Sequence, residues 1–224
     1  MHHFDDIYAI AAKRKGGESA LEALLAKPKS TAVLAKIPDD RWLACMSKCI
    51  FQAGFNWKVV DSMWPGFEAA FQGFDLDHCA LLHDEDFDRL VSDKRIVRHG
   101  TKIRSVQQNA VFLDEFAGDY ERAGQAFAAW PAEDYVGLLS TLKKRGSRLG
   151  GNTGPYFLRS MGVDGFIFSR DVVARLIVED VVDKAPSSQK SMMAAQEAFN
   201  TWQEQSTRSL TEISRVLAFS IDGI

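Results

Sequence analysis

The densest chemistry in the chain lies in residues 142–162, which read LKKRGSRLGGNTGPYFLRSMG. Lys143, Lys144 and Arg145 end one helical pattern. A loop follows with Gly146, Arg148, Gly150 and Gly151, and a second helix opens near Thr153, with Pro155 acceptable in its first turn. Glycines let backbone amides approach an anion closely, and a helix N-terminus presents partial positive charge to it. The residues therefore predict capture of a phosphate. A nucleotide-binding P-loop would need Lys and Ser/Thr directly after its second glycine. Here Gly146 and Gly151 keep the required gap, but Asn152 and Thr153 follow, and no strand precedes. A nucleic-acid backbone phosphate, held by amides without that lysine, fits better. The competing account is an ordinary αα-hairpin whose glycines only make the turn.

A second basic run lies upstream. Lys94, Arg95, Arg98, Lys102 and Arg104 stand with His99 in eleven residues without an acid, and Lys143 to Arg148 adds four cations in six positions. Together they hold nine of the 27 Lys and Arg, so a fold that brings them to one side would make a footprint for a polyanion. Each run could equally be a solvated helix face. The net charge of −3 argues against a protein that coats nucleic acid nonspecifically. Twenty residues beyond Gly151 stands Asp171, in the run FSRDVVARL; read by itself it is an N-cap for a helix starting at Val172. Cys45, Cys49 and Cys79 have neither disulfide-framework nor metal-site spacing, and Cys49 on an apolar stripe reads as an inert thiol. His78, His83 and His99 do not form a metal spacing, and Ser187 and Ser188 lack the partners of a serine hydrolase. Neither a metal nor a cofactor is expected.

Helical periodicity supplies the elements that must position these residues. Trp42, Cys45, Met46, Cys49, Ile50 and Ala53 trace one face after Asp39 and Asp40, which can cap it, and Gly54 ends it. Trp57, Val60, Met63, Trp64 and Phe67 trace a second stripe after Asn56, and Ile103, Val106, Ala110 and Leu113 a third. Further stripes run through Tyr135 to Leu142, Val172 to Val178 and Met192 to Trp202, and Ser209 with Glu212 forms a capping box before Ile213, Val216 and Leu217. About nine to eleven helices with short loops place the chain in the all-α class, and no composition shift marks a linker between independent domains. The expectation is a single domain over residues 1–224, with two closely packed lobes and the helix, hairpin and helix at about 133–162.

With 224 residues, 46% apolar and 25% charged, the chain is long enough for a sizeable core and too ordinary in composition for disorder or collagen. No window approaches 18 consecutive apolar residues, and the N-terminus has no secretory pattern. A cytoplasmic monomer that meets no membrane is expected.

A helix, Gly-rich hairpin and helix followed about twenty residues later by an Asp resembles the signature of the helix-hairpin-helix DNA glycosylase superfamily. More closely, the runs QAGFNW (52–57), RLVSD (89–93), IVRHGTKI (96–103) and LKKRG (142–146) resemble, in order and spacing, the DNA-3-methyladenine glycosylase I family. The resemblance covers about residues 40–165. It implies excision of N3-alkylated adenine from double-stranded DNA by flipping the nucleotide into a pocket. In that scheme Gln52 belongs to the pocket loop, Gly54 and Phe55 form the wedge that fills the gap in the duplex, and Trp57 is the stacking wall. An indole face favours a cationic methylated purine by roughly 0.5 to 2 kcal/mol. Trp57 also lies on its helix's apolar stripe, so plain core packing competes with the pocket role. Lys144, Gly146, Arg148, Gly150, Gly151, Thr153, Arg98 and Lys102 would contact DNA. Cys49 stands where the family carries a glutamate that reads the purine edge, which removes the expected hydrogen bonds. Asp171 matches the superfamily's catalytic carboxylate, which would stabilise oxocarbenium character and orient water. Thr153 stands where bifunctional members carry a Schiff-base lysine, so strand cleavage is not expected. Two rivals remain: a non-catalytic, lesion-sensing paralogue of the same fold, and a helical interaction protein that meets no DNA.

Overall fold

The computed structural model describes residues 1–221. In chain order the helices are α1 (Phe4–Lys15), α2 (Glu18–Glu22), α3 (Thr31–Leu34), α4 (Asp39–Gln52), α5 (Trp57–Ala70), α6 (Leu76–Ala80) and α7 (Asp84–Ser92). They continue with α8 (Gly100–Ala117), α9 (Ala123–Ala129), α10 (Tyr135–Arg145), α11 (Thr153–Met161), α12 (Arg170–Val178), α13 (Gln189–Ser206) and α14 (Leu210–Phe219). Among the described residues there is no strand, and eleven helices span seven residues or more, at the top of the expected range.

Several boundaries are set by the side chains that the periodicity pointed to. Asn56 accepts from the Lys58 amide at the start of α5, and Ser209 with Glu212 forms a capping box on α14. Asp84 and Asp86 lie in the acidic first turn of α7, where Asp86 returns a bond to the His83 amide. Two caps differ from expectation. The N-cap of α4 is Pro38, and Asp39 and Asp40 fall inside the first turn. Burial pushes the Asp39 carboxyl above its usual range, against hydrogen bonds from the Ala123 and Gly124 amides. For α12 the cap is Ser169, which accepts from the Val172 amide at 3.2 Å, so the helix begins one residue before Asp171.

The chain divides into two compact units, and the boundary falls within α10. One comprises Met1–Lys29, Pro131–Leu138 and the chain from Gly162 on; the other comprises Ser30–Trp130 and Leu139–Met161. In the first, Phe166 stacks on Phe199 at 4.1 Å and meets the Tyr135 ring edge-on, and the buried Gln196 accepts from the Val136 amide. This unit also holds a buried polar knot. Arg175 pairs with Glu179 at 3.2 Å and donates to the Ser220 carbonyl and hydroxyl, while His2 binds Glu179 through its backbone amide and its ring. In the second unit, α4 runs through the core. Its fully buried Trp42 stacks on Phe127 at 4.4 Å and meets Phe157 of α11 edge-on. Alternating exposure along α4 leaves Cys45 and Cys49 half-buried on the side that meets α11.

Candidate nucleic-acid interface and base pocket

Three elements of the second unit surround a cavity of about 190 Å³: the end of α4, the start of α5 and one side of α11 with the residue before it. Cys49, Gln52 and Ala53 come from the first, Trp57 from the second, and Asn152, Thr153, Tyr156 and Ser160 from the third. Trp57 is 53% exposed, because it is the first residue of α5, before the stripe turns inward at Val60. Tyr156 is 38% exposed and presents its ring to the indole at right angles, with centroids 6.0 Å apart. Two aromatic walls left open to solvent are unusual unless something flat is to be placed between or upon them.

Asn152, Thr153 and Ser160 give the cavity polar groups on one side, and the last two turns of α4 supply others. Gln52 is nearly buried and donates to Asp61 at 3.1 Å, which fixes its amide, and Lys48 pairs with the same carboxylate at 2.8 Å. The Cys49 thiol is held below its ordinary range by hydrogen bonding with Cys45 and with Ser160, aided by the Lys48 charge and opposed by burial. It is half-buried, with polar partners beside it. Cys79 is fully buried, and burial pushes its thiol up to about 12.

Between the cavity and the surface lies the loop of Ala53 to Asn56. Gly54 takes φ +76, a left-handed turn that an L side chain rarely adopts, and Phe55 behind it is 41% exposed. Alongside stands the hairpin, between α10 and α11. Gly151 has φ +60, and the non-glycine Arg148 has φ +62. The rest of the hairpin is tight: a Cβ on Gly146 would lie 2.5 Å from Leu149 Cδ1 and 2.8 Å from the Leu142 carbonyl, and one on Gly154 would lie 2.6 Å from the Leu149 carbonyl. The buried Asn109 of α8 clamps the turn from beneath, accepting from the Ser147 amide at 2.7 Å and donating to the Ser147 carbonyl at 3.0 Å. Lys143, Lys144, Arg145 and Arg148 stand exposed around it, as does Arg98 on the approach to α8.

Lys102 is placed otherwise than a phosphate ligand would be. It is 3% exposed, and its ammonium donates to the carbonyls of Phe51 and Ala53, because α4 leaves those acceptors unpaired at its C-terminal end. Burial, then the Arg148 charge, lowers its pKa. Asp171 stands half-buried in the first turn of α12, in the other unit from the residues that line the cavity. Sequence reasoning missed Tyr156 and Asn109. The first sits one turn after Thr153; the second is a polar residue interrupting the stripe of Val106, Ala110 and Leu113. Among the described residues no three His, Cys, Asp or Glu cluster to hold a metal ion, and no helix is long and apolar enough to cross a membrane.

A family model described as methyladenine glycosylase matches residues 37–163, more than half of the chain and the span that carries the cavity and the hairpin. DNA-3-methyladenine glycosylase 1 of Escherichia coli (strain K12) is 39% identical over 59 residues, covering 26% of this chain and 32% of that protein. The match thus spans about a third of that curated relative's length. Among solved structures, a 3-methyladenine DNA glycosylase I is similar with a TM-score of 0.49 and 23% identity, over 62% of this chain and 83% of its own. The enzyme from Staphylococcus aureus, described for its recognition of 3-methyladenine, gives a TM-score of 0.49 and 19% identity over 62% and 80%.

Proposed function

The chain belongs to the methyladenine glycosylase family, and from that premise we propose that it is a monofunctional DNA glycosylase hydrolysing the N-glycosidic bond of alkylated purines, with 3-methyladenine as substrate. The observation that carries this reading is the aromatic cavity itself. About 190 Å³ is below the roughly 300 Å³ where pockets for drug-sized ligands begin, and suits one flat base. The base would leave the stack, enter beside the Phe55 loop and lie on the Trp57 indole, with Tyr156 as the adjoining wall at right angles to it. Alkylation at N3 makes the purine cationic, so the π face binds it in preference to the neutral base, and the same charge makes it a good leaving group because it departs as a neutral base. Arg148, Lys144 and the amides of Gly150 and Gly151 would hold the phosphates flanking the flipped nucleotide. Positive charge then grows on the sugar. The superfamily resemblance assigns its stabilisation, and the orientation of the attacking water, to Asp171, and Thr153 offers no amine for an imine.

One observation favours a second reading. Cys49 occupies the place of the family's purine-reading glutamate, so the same surface could recognise damaged DNA without releasing a base. Incubation with methylated genomic DNA and mass spectrometry of the released bases separates the two. Release of 3-methyladenine by the wild type, reduced at least tenfold in Trp57→Ala and Asp171→Asn, is the expected result. DNA binding with no base released would establish the binding paralogue instead, and wild-type activity in Asp171→Asn would remove that residue from the mechanism.

A further inference from the structure

Lys102 directs its ammonium at the end of α4 and the turn that follows it. Of the ammonium's three protons, two go to the carbonyls of Phe51 and Ala53, at 3.2 and 2.6 Å, and the remaining side lies 4.5 Å over the centre of the Phe55 ring. These contacts bracket Gly54, whose positive φ reverses the chain. An aromatic side chain on a glycine turn would ordinarily sample many orientations, and ordering it on binding costs free energy. From this geometry we infer that Lys102 is a positioning residue for base flipping: its buried ammonium pre-sets the Ala53–Phe55 turn so that Phe55 projects ready to enter the base stack. The inference rests on the proposed glycosylase reading, in which Gly54 and Phe55 are the wedge.

The start of α8 also holds the other DNA-facing element. Thr101 accepts from Arg148 of the hairpin at 3.4 Å and hydrogen-bonds the His99 ring at 3.1 Å, and that ring meets Phe55 edge-on at 6.2 Å. One helical turn thus ties the wedge to the phosphate-holding hairpin, fixing how far apart a duplex must find them. A wedge matters only where a base has to be taken from a stacked pair, so Lys102 should be needed for duplex DNA and nearly dispensable for a single strand.

The test compares wild type, Lys102→Met, Phe55→Ala and the double variant under single-turnover conditions, on one methylated oligonucleotide as duplex and as single strand. A 2-aminopurine opposite the lesion reports unstacking independently of chemistry. Expected are a tenfold or greater loss for Lys102→Met on duplex, less than twofold on the single strand, and no further loss when it is added to Phe55→Ala. Equal loss on both substrates, or a multiplicative loss in the double variant, would overturn the inference, since a lysine that merely supports the fold acts regardless of Phe55. Lys102→Gln keeps a donor for the carbonyls without the charge; if Lys102→Met does not fold, the same comparison is made with it, and a duplex-selective loss of threefold or more is expected. Should wild type release no base, the glycosylase reading fails while 2-aminopurine still decides: a fluorescence rise abolished by the Lys102 variant upholds the wedge role, and a base left stacked by wild type overturns it.

Discussion

At Cys49 two effects oppose each other, and their balance sets what the cavity can read. Burial favours the neutral thiol, while the bonds from Cys45 and Ser160 and the charge of Lys48 favour the thiolate and win. The thiolate is the reactive form, so Cys49 should be carbamidomethylated by limiting iodoacetamide near neutral pH, with a midpoint below that of an ordinary thiol. Cys79, raised to about 12, should stay unmodified until the protein is unfolded, and peptide mapping distinguishes the two. Replacing Cys49 by Glu supplies a charge-assisted acceptor for the purine edge, worth about 1.5 kcal/mol. It should therefore raise 3-methyladenine release about tenfold relative to other alkylated bases, as read by quantifying each released base. An unchanged ratio would mean that the aromatic walls alone discriminate. Trp57 shows how much of a residue's role the periodicity conveys. Its stripe is real, but as the first residue of α5 it lies where the stripe has not yet turned to the core, so the same spacing suits a wall open to solvent.

Among the elements, the hairpin depends on a single buried amide. Asn109→Ala removes both bonds to Ser147 and leaves its part-buried amide and carbonyl without that partner, each at a cost of about 1 kcal/mol. For a chain of this length each kcal/mol lowers the midpoint by roughly 2–4 °C, so calorimetry should register a clear drop. DNA affinity should fall with it because the hairpin amides are no longer held. Gly146→Ala should be similarly harmful: the Leu149 side chain can yield, but the Leu142 carbonyl at 2.8 Å is backbone and cannot without distorting α10. Both helices of this unit were readable from stripes and turn glycines. The clamp was not, because a polar residue on an apolar stripe has no identifiable partner until the fold places Ser147 opposite it.

At the scale of the molecule, charge decides two behaviours. Arg148→Ala and Lys144→Ala should each lower the slope of log affinity against log salt by about one, as expected for exposed cations that displace counterions from phosphate. Lys102→Met should leave that slope unchanged, because its ammonium is bonded within the protein. In the other unit, burial alone would raise the Glu179 carboxyl, but the His2 amide and ring and the Arg175 guanidinium outweigh it and hold it below its usual value of 4.5. A depressed carboxylate contributes stability that is present above the unfolded value and lost as pH falls through the folded one. Urea unfolding should thus show stability declining from about pH 4.5 downward, with that limb flattened in Glu179→Gln.

The all-α class, the helix stripes, the capping box of α14, the glycine hairpin and its ring of cations are determined by the sequence alone. Each is a matter of local periodicity or of neighbours a few residues apart, which the chain carries wherever it goes. Tertiary structure decided the rest. Lys102 and Arg98 belong to the same basic run, yet one ends buried against the carbonyls of α4 and the other exposed, since only packing brings the end of α4 to the start of α8. Tyr156 became the second wall through its contact with Trp57, about a hundred positions away, and of the bonds at Cys49 the one with Cys45 is local while the one with Ser160 comes only from the fold. Distances of that kind are set by how helices meet, and no spacing along the chain encodes them.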